Sequence, residues 1–255
     1  NLNKPQIQVA KLPLKYKFRG LESREFAYFR GQFGLGEFSP FIEYSKIEAT
    51  TWFKAGWEAA NADRNLIIKN FVRDKVPINI TVPEIQINEI ESLLQKFSGC
   101  HVIKLKVNAF ENIKPIIVEL IKQVPNSKFR LDVNGGWSVK EASDAVAQLV
   151  ERFGVDTFQY IEQPVATVEE LRELQLPIPV VGDEVIRKAK DPFAVDLKGA
   201  VDILMLKVSP LGGIERSRAI AAHHKLPVVV SSALESAVGI AHGLKLAAAL
   251  PELKY

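Results

Sequence analysis

The sequence predicts an α/β protein, a TIM-like (β/α) barrel with a small N-terminal α+β capping domain. Three observations lead there. From Val76 onward, short β-branched runs alternate with amphipathic stretches at intervals of roughly 20–30 residues, the period of a (β/α) barrel. Residues 1–75 keep a different rhythm, with period-two alternation ahead of helical patterns. Five consecutive strand runs also carry charged residues at their C-terminal ends, inside otherwise apolar sequence, where barrels of this kind keep their functional groups.

Composition bounds the function classes. In 255 residues, 47% are hydrophobic and 25% charged, as in ordinary globular proteins. The net charge of +3 is spread along the chain without a dense Lys/Arg run, which argues against nucleic-acid binding. A single cysteine, Cys100, rules out an internal disulfide framework and a thiolate zinc cluster, and suits a reducing cytoplasm. No apolar run reaches the roughly 18 residues of a membrane span, so no membrane partner is expected, and NLNKPQIQ does not read as a signal peptide. The first residue is Asn1, not Met, which leads us to expect an N-terminus farther upstream. Monomer and homodimer both stay open.

In the capping segment, Ile7–Phe18 alternates as a strand, Glu25–Arg30 reads as its antiparallel partner, and Gly20 and Gly31 punctuate them. GLGEFSPF (34–41) reads as a loop, and Ile47–Ala62 and Leu66–Val72 as helices. From Val76 the expected strands are Pro77–Val82, Val102–Val107, Phe129–Asn134, Thr157–Glu162, Pro179–Glu184, Val201–Val208 and Pro227–Ser232. Helices are expected near 87–97, 110–123, 139–153, 167–174, 191–197, 213–224 and 236–249, two of them announced by capping boxes at Ser138–Glu141 and Thr167–Glu170. The domains are therefore 1–75 and 76–255. A doubly wound open sheet is the alternative, but no strand is followed by a GxGxxG or GxxxxGK[ST] loop. Barrel closure takes eight strands and seven are counted; Pro251–Tyr255 reads as the approach to an eighth, with truncation the expected reason for its absence.

Alone, Lys104 and Lys106 would mark an edge strand with one solvated face, since positions i and i+2 share a side. The neighbouring strands change that. Asp132, Glu162 and Asp183 end the next three strands and Lys207 the one after. Each acid alone reads as a helix cap or an ion pair, but five such placements at one end of neighbouring strands are hard to obtain from capping. Three converging carboxylates repel unless a cation sits among them, and an oxygen-only donor set suits Mg²⁺. Such an ion, bound to a substrate carboxylate, stabilises the charge that appears when the α-proton leaves. A lysine beside a second lysine and a dication has its pKa lowered, so Lys106 reads as the base, Lys104 as the neighbour that tunes it, and Lys207 as the group approaching from the opposite side.

The set K-x-K, D-x-N (Asp132 and Asn134), E-Q-P, D-E and K on strands two to six resembles the muconate-lactonizing-enzyme subgroup of the enolase superfamily, whose Lys-base and Mg²⁺ design is a known pattern. GLGEFSPFIEY (34–44), KVPINITVP (75–83), KVSPLGG (207–213) and VVSSALES (229–236) resemble, more narrowly, the actinobacterial branch of the o-succinylbenzoate synthase family of the menaquinone pathway. The resemblance implies an enolase-type (β/α)7β barrel and a lyase that dehydrates 2-succinyl-6-hydroxy-2,4-cyclohexadiene-1-carboxylate to 2-succinylbenzoate. It implies Mg²⁺, with Mn²⁺ as substitute, on Asp132, Glu162 and Asp183, with Lys106 removing the proton and returning it to the departing hydroxyl. Lys207 would stay cationic against the ring. Ser231, Ser232, Gly212 and Gly213 would receive the succinyl carboxylate, although ordinary βα-turn chemistry reads equally well there. The loop around Arg19–Gly20 and Phe38–Phe41 would cover the mouth, or serve as interdomain packing. Asp183-Glu184 is followed by Val185 where the family usually has Ser; Glu184 then interacts with the lysine network and is not a metal ligand.

Three other readings compete. An N-acylamino acid racemase or dipeptide epimerase would use Lys106 and Lys207 as paired bases. A Schiff-base aldolase would use a lysine and no metal, leaving the acids without a purpose. A non-catalytic binding barrel would keep buried charges at a cost in stability.

Overall fold

The computed structural model describes residues 6–18, 20–63, 67, 69–83, 85–107 and 110–255. Strand β1 (Ile7–Phe18) pairs antiparallel with β2 (Leu21–Arg30), and β2 takes β3 (Leu35–Phe38) on its other edge. β3 is a correction, because its residues read as loop. Gly36 is there for close packing: a Cβ on it would stand 2.2 Å from the Gly56 carbonyl oxygen of helix α1 (Lys46–Asn61). A Cβ on Gly56 would in turn lie 2.3 Å from the Glu37 carbonyl oxygen, so the helix and strand touch backbone to backbone. α1 starts at a capping box in which Ser45 and Glu48 satisfy each other's backbone N–H groups. The helix expected over 66–72 lies partly outside the described residues, and so does Arg19.

The second sheet is parallel and seven-stranded, ordered β4 (Ile80–Val82), β5 (Val102–Lys106), β6 (Lys128–Asp132), β7 (Phe158–Glu162), β8 (Val180–Gly182), β9 (Ile203–Lys207) and β10 (Val228–Ser231). The helices are α2 (Ile90–Leu94), α3 (Phe110–Gln123), α4 (Val139–Phe153), α5 (Val168–Glu173), α6 (Glu184–Arg187), α7 (Val208–Leu211), α8 (Ile214–His224) and α9 (Ala237–Ala249). All seven expected strands are present. The helix expected over 191–197 is only a 3-10 turn, Pro192–Ala194, capped by Asp191, and that over 87–97 is α2 between two 3-10 turns. α6 and α7, four residues each, are too short to leave a periodic signal in sequence.

The strands obey period two. Ile103, Leu105, Phe129, Leu131, Ile161, Leu204 and Leu206 are buried in the main hydrophobic core. The alternate residues face the other side, where Tyr160, Val181, Ile203, Met205 and Val229 form a second, smaller cluster. The sheet curls into a half-barrel. Among the described residues it stays open between β4 and β10, and Leu253 makes a single parallel bridge to Val228 at the β10 edge, in line with the expected approach of an eighth strand.

Candidate active site

Register brings the charged residues together. Lys106 pairs with Asp132 and Asp132 with Glu162, while Lys207 pairs with Ser231; Asp183 follows the last residue of β8. Asp132, Glu162 and Asp183 are 3%, 0% and 0% exposed, so their charges must be met inside the protein.

They are met by a row of alternating sign. Lys106 Nζ lies 3.8 Å from Asp132 Oδ2, and Lys104 Nζ lies 2.9 Å from the same oxygen and 2.5 Å from Glu162 Oε2. Lys207 Nζ stands 3.5 Å from Glu162 Oε1 and 2.6 Å from Asp183 Oδ2. Arg187 closes the row, 3.0 Å from Asp183 Oδ2 and paired with Glu184. The acids thus form a line threaded with ammonium groups instead of a ring around one point. Three carboxylates buried this close repel one another, and the lysines between them offset that repulsion.

Burial alone would pull the Lys104 ammonium down, but Asp132 and Glu162 hold it well above the ordinary lysine value. Lys207 is likewise raised against its burial, by Asp183 and Glu162. Burial would push Asp183 up, yet Lys207 and Arg187 hold it well below the carboxylate range; Asp132 is lowered against its burial by Lys104 and Lys106. Glu162 is raised, by burial first and then by Asp132.

Lys106 is held differently from Lys104. It donates to Asn134 Oδ1 and lies 5.3 Å above the centre of the Phe18 ring. Asn134, in left-handed backbone conformation, donates in turn to Glu184 Oε1 at 3.1 Å, so Glu184 meets Lys106 through an amide. A cavity of about 860 Å³ opens above this row, lined by Phe18, Phe41, Tyr44, Ser231, Ser232 and Glu235 among others. Burial pushes the Glu235 carboxyl up. Gly212 and Gly213 are not among the described residues that line it. A Cβ on Gly213 would meet Glu58 Oε2 at 2.6 Å, and the Ile214 N–H that follows donates to Glu58, so this helix N-terminus is occupied by the capping segment's own carboxylate.

Sequence reasoning missed four contributors. Phe18 bounds the mouth beside Lys106. Gln163 of the E-Q-P run, fully buried with φ 41°, accepts the Asp183 and Val185 N–H groups and fixes the start of α6. Its signal was present, as a polar residue in a run otherwise buried. Arg187 and Tyr44 meet across 143 positions and left no local signal.

By donor chemistry the acids fit a hard dication. All donors are oxygens, Asp132 Oδ1 is buried without a hydrogen-bond partner, and cations already stand within 2.5–3.5 Å of the acids. Among the described residues, no three His, Cys, Asp or Glu side chains are grouped closely enough to ring a metal as they stand.

A half-barrel of parallel strands with lysines on its second and sixth members and acids between them defines an enolase-type barrel. Residues 89–255 match the family model described as enolase C-terminal domain-like, and residues 9–60 the one described as enolase N-terminal domain-like. The o-succinylbenzoate synthase of Mycobacterium leprae is 43% identical over 259 residues, covering 98% of this chain and 74% of the relative. That of Mycolicibacterium smegmatis is 42% identical over 254 residues, covering 98% and 77%. The chain belongs to the o-succinylbenzoate synthase family of the enolase superfamily. Solved structures sharing the fold include a dipeptide epimerase from Enterococcus faecalis V583 (TM-score 0.80, 22% identity, 98% of this chain and 87% of that one). The muconate lactonizing enzyme from Pseudomonas putida is a second (TM-score 0.76, 20% identity, 99% and 86%). No helix among the described residues is long and apolar enough to cross a membrane.

Proposed function

We propose that the protein is a lyase of the o-succinylbenzoate synthase type, removing water from 2-succinyl-6-hydroxy-2,4-cyclohexadiene-1-carboxylate to give 2-succinylbenzoate. The observation that carries this reading is the alternating row, with Lys106 at one end of the three acids and Lys207 between the last two. The relatives' shared name supplies the reaction class.

In this reading Asp132, Glu162 and Asp183 hold Mg²⁺, or Mn²⁺ as its substitute, which when bound supplies positive charge against the substrate's ring carboxylate. Lys106 Nζ, as free amine, takes the proton from the carbon bearing that carboxylate. As the carbon–oxygen bond breaks, the electrons of the former C–H bond complete the aromatic ring. The Lys106 ammonium gives the same proton to the departing hydroxyl on the same face, and water leaves. Lys104 stays an ammonium between Asp132 and Glu162 and adds positive charge beside Lys106. Lys207 stays cationic and faces the ring from the other side, offsetting the negative charge that develops. Ser231 and Ser232 offer hydroxyls to the succinyl carboxylate, and Phe18, Phe41 and Tyr44 limit water at the mouth. Residues 1–75 act as the cap and 76–255 as the catalytic unit, working in the cytoplasm on a small molecule.

The test is turnover of the cyclohexadiene substrate by purified protein with Mg²⁺ and with EDTA. Loss of the diene matched by aromatic product, abolished by EDTA, is the expected outcome. Exchange of the α-proton in N-succinylamino acids with no aromatic product would replace this reading with the two-base epimerase.

A further inference from the structure

Asp183 differs from the other two acids in what holds it. Asp132 and Glu162 are met by lysines of the sheet, whereas Asp183 is also held by Arg187, one helical turn later in α6. Arg187 Nε lies 3.1 and 3.0 Å from the two carboxylate oxygens, and the side chain is only 5% exposed. The rest of the fork is also engaged. Nη2 donates to Glu184 Oε1, and Nη1 donates to the Tyr44 hydroxyl at 2.5 Å. Tyr44 belongs to the segment between β3 and α1 and is fixed there by two rings, stacked on Phe41 at 6.2 Å and edge-on to Trp52 at 5.8 Å. A planar guanidinium bonded to three separate groups in a buried site has one low-energy pose, so the three groups are positioned relative to one another.

We propose that Arg187 is a positioning residue for Asp183, and that through Tyr44 it makes the cation affinity of the barrel site depend on how the N-terminal segment is docked. This rests on the reading of Asp183 as a ligand of the dication. Two effects oppose each other when Arg187 is changed. Removing its charge favours a dication, whereas freeing the Asp183 carboxylate disfavours it, and substitution of partners behind a metal ligand commonly weakens the metal by 10–100-fold. The inference is that orientation outweighs charge.

The experiment is calorimetric titration of the full chain with MgCl₂ alone, repeated with Mn²⁺ by electron paramagnetic resonance, alongside kcat and KM. Arg187→Lys, which keeps the charge and loses the fork, is expected to bind Mg²⁺ at least about tenfold more weakly. Tyr44→Phe, lacking one hydroxyl far in sequence from Asp132, Glu162 and Asp183, is expected to bind about fivefold more weakly with the same melting temperature. Wild-type affinity in both variants, or tighter binding by Arg187→Met, overturns the inference. If Asp183→Asn binds Mg²⁺ as wild type does, the ligand reading itself falls and takes this one with it. If Asp183→Asn loses Mg²⁺ while Arg187→Lys and Tyr44→Phe keep it, only the positioning role is lost. Should Arg187→Met not fold, the other two variants decide the matter.

Discussion

Lys104 and Lys106 point to the same side of one strand, yet their surroundings give them different work. Lys104 is 7% exposed and bridges two buried carboxylates, so its removal takes from both their nearest counter-ion and leaves only Lys106 at 3.8 Å from Asp132 and Lys207 at 3.5 Å from Glu162. Lys104→Met is therefore expected to cost about 3–5 kcal/mol in denaturant unfolding with EDTA present, and to recover part of that when Mg²⁺ is added. Lys106 lies 3.8 Å from Asp132, donates to the Asn134 amide and stands over the Phe18 ring at the cavity, where a substrate proton can reach it. Lys106→Ala is expected to lower kcat by about 10²–10⁴-fold, with Mg²⁺ affinity and melting temperature close to wild type. Equal stability losses in the two variants would contradict the division of roles. Lys104, Lys106, Asp132, Glu162, Asp183 and Lys207 were readable in sequence because each lies at the end of an apolar strand run, whereas Arg187, which closes the row from a helix, was not. Lys104 was expected to depress Lys106 with a dication beside it. What the described residues display is the converse on Lys104 itself, raised by two acids that sequence placed at the same level without revealing how closely they touch.

Two helices of the barrel begin on carboxylates that belong to the N-terminal segment. Glu58 of α1 accepts the Ile214 and Glu215 N–H groups of α8 and a hydrogen bond with His242 Nε2 at 3.0 Å. Glu37 of β3 accepts from Ser236 and from the Gly239 N–H of α9. Both supply negative charge where a helix dipole is positive. Burial would raise the Glu58 carboxyl, but His242 and the helix N–H groups hold it below the ordinary value. A carboxyl whose folded pKa is depressed stabilises the fold above its unfolded pKa, about 4.3, and that stability disappears as pH falls through the lower folded value. Glu58→Ala is accordingly expected to lose about 2 kcal/mol at pH 7, with the gap to wild type closing as melting is followed down to pH 3. A gap that stays constant with pH would mean that packing, not charge, is what Glu58 provides. At this scale the sequence was partly legible. Ser45, Ser138 and Thr167 announced their helices through local capping boxes, whereas Glu37 and Glu58 cap helices about 200 and 156 positions away, beyond any local pattern. Gly36 misled for a related reason, since a glycine needed for close approach to α1 looks in sequence like a glycine needed for a turn.

At the scale of the whole molecule, the charge of the ion-pair row matters. Among the described residues, four cations, Lys104, Lys106 (when protonated), Lys207 and Arg187, alternate in that row with four carboxylates, Asp132, Glu162, Asp183 and Glu184. A dication entering such a site alone leaves an excess of two positive charges beside buried groups, and a dicarboxylate entering alone leaves the opposite excess. Each is disfavoured in a site of low local dielectric. Together they restore neutrality, and the second to arrive binds against an opposite charge already in place. The substrate and product of the proposed reaction each carry two carboxylates, so Mg²⁺ and 2-succinylbenzoate are expected to bind with positive coupling, by a factor of roughly 5–150, the usual range for linked sites. Linkage requires the factor to be the same whichever ligand is titrated first. Titrating 2-succinylbenzoate into protein with saturating Mg²⁺ and with EDTA, then Mg²⁺ with and without 2-succinylbenzoate, measures it in both directions. Benzoate, with one carboxylate, should couple less strongly, because it cancels only half of the added charge. Coupling as strong for benzoate as for the dicarboxylate would assign the effect to the ring carboxylate alone and remove charge balance as its cause.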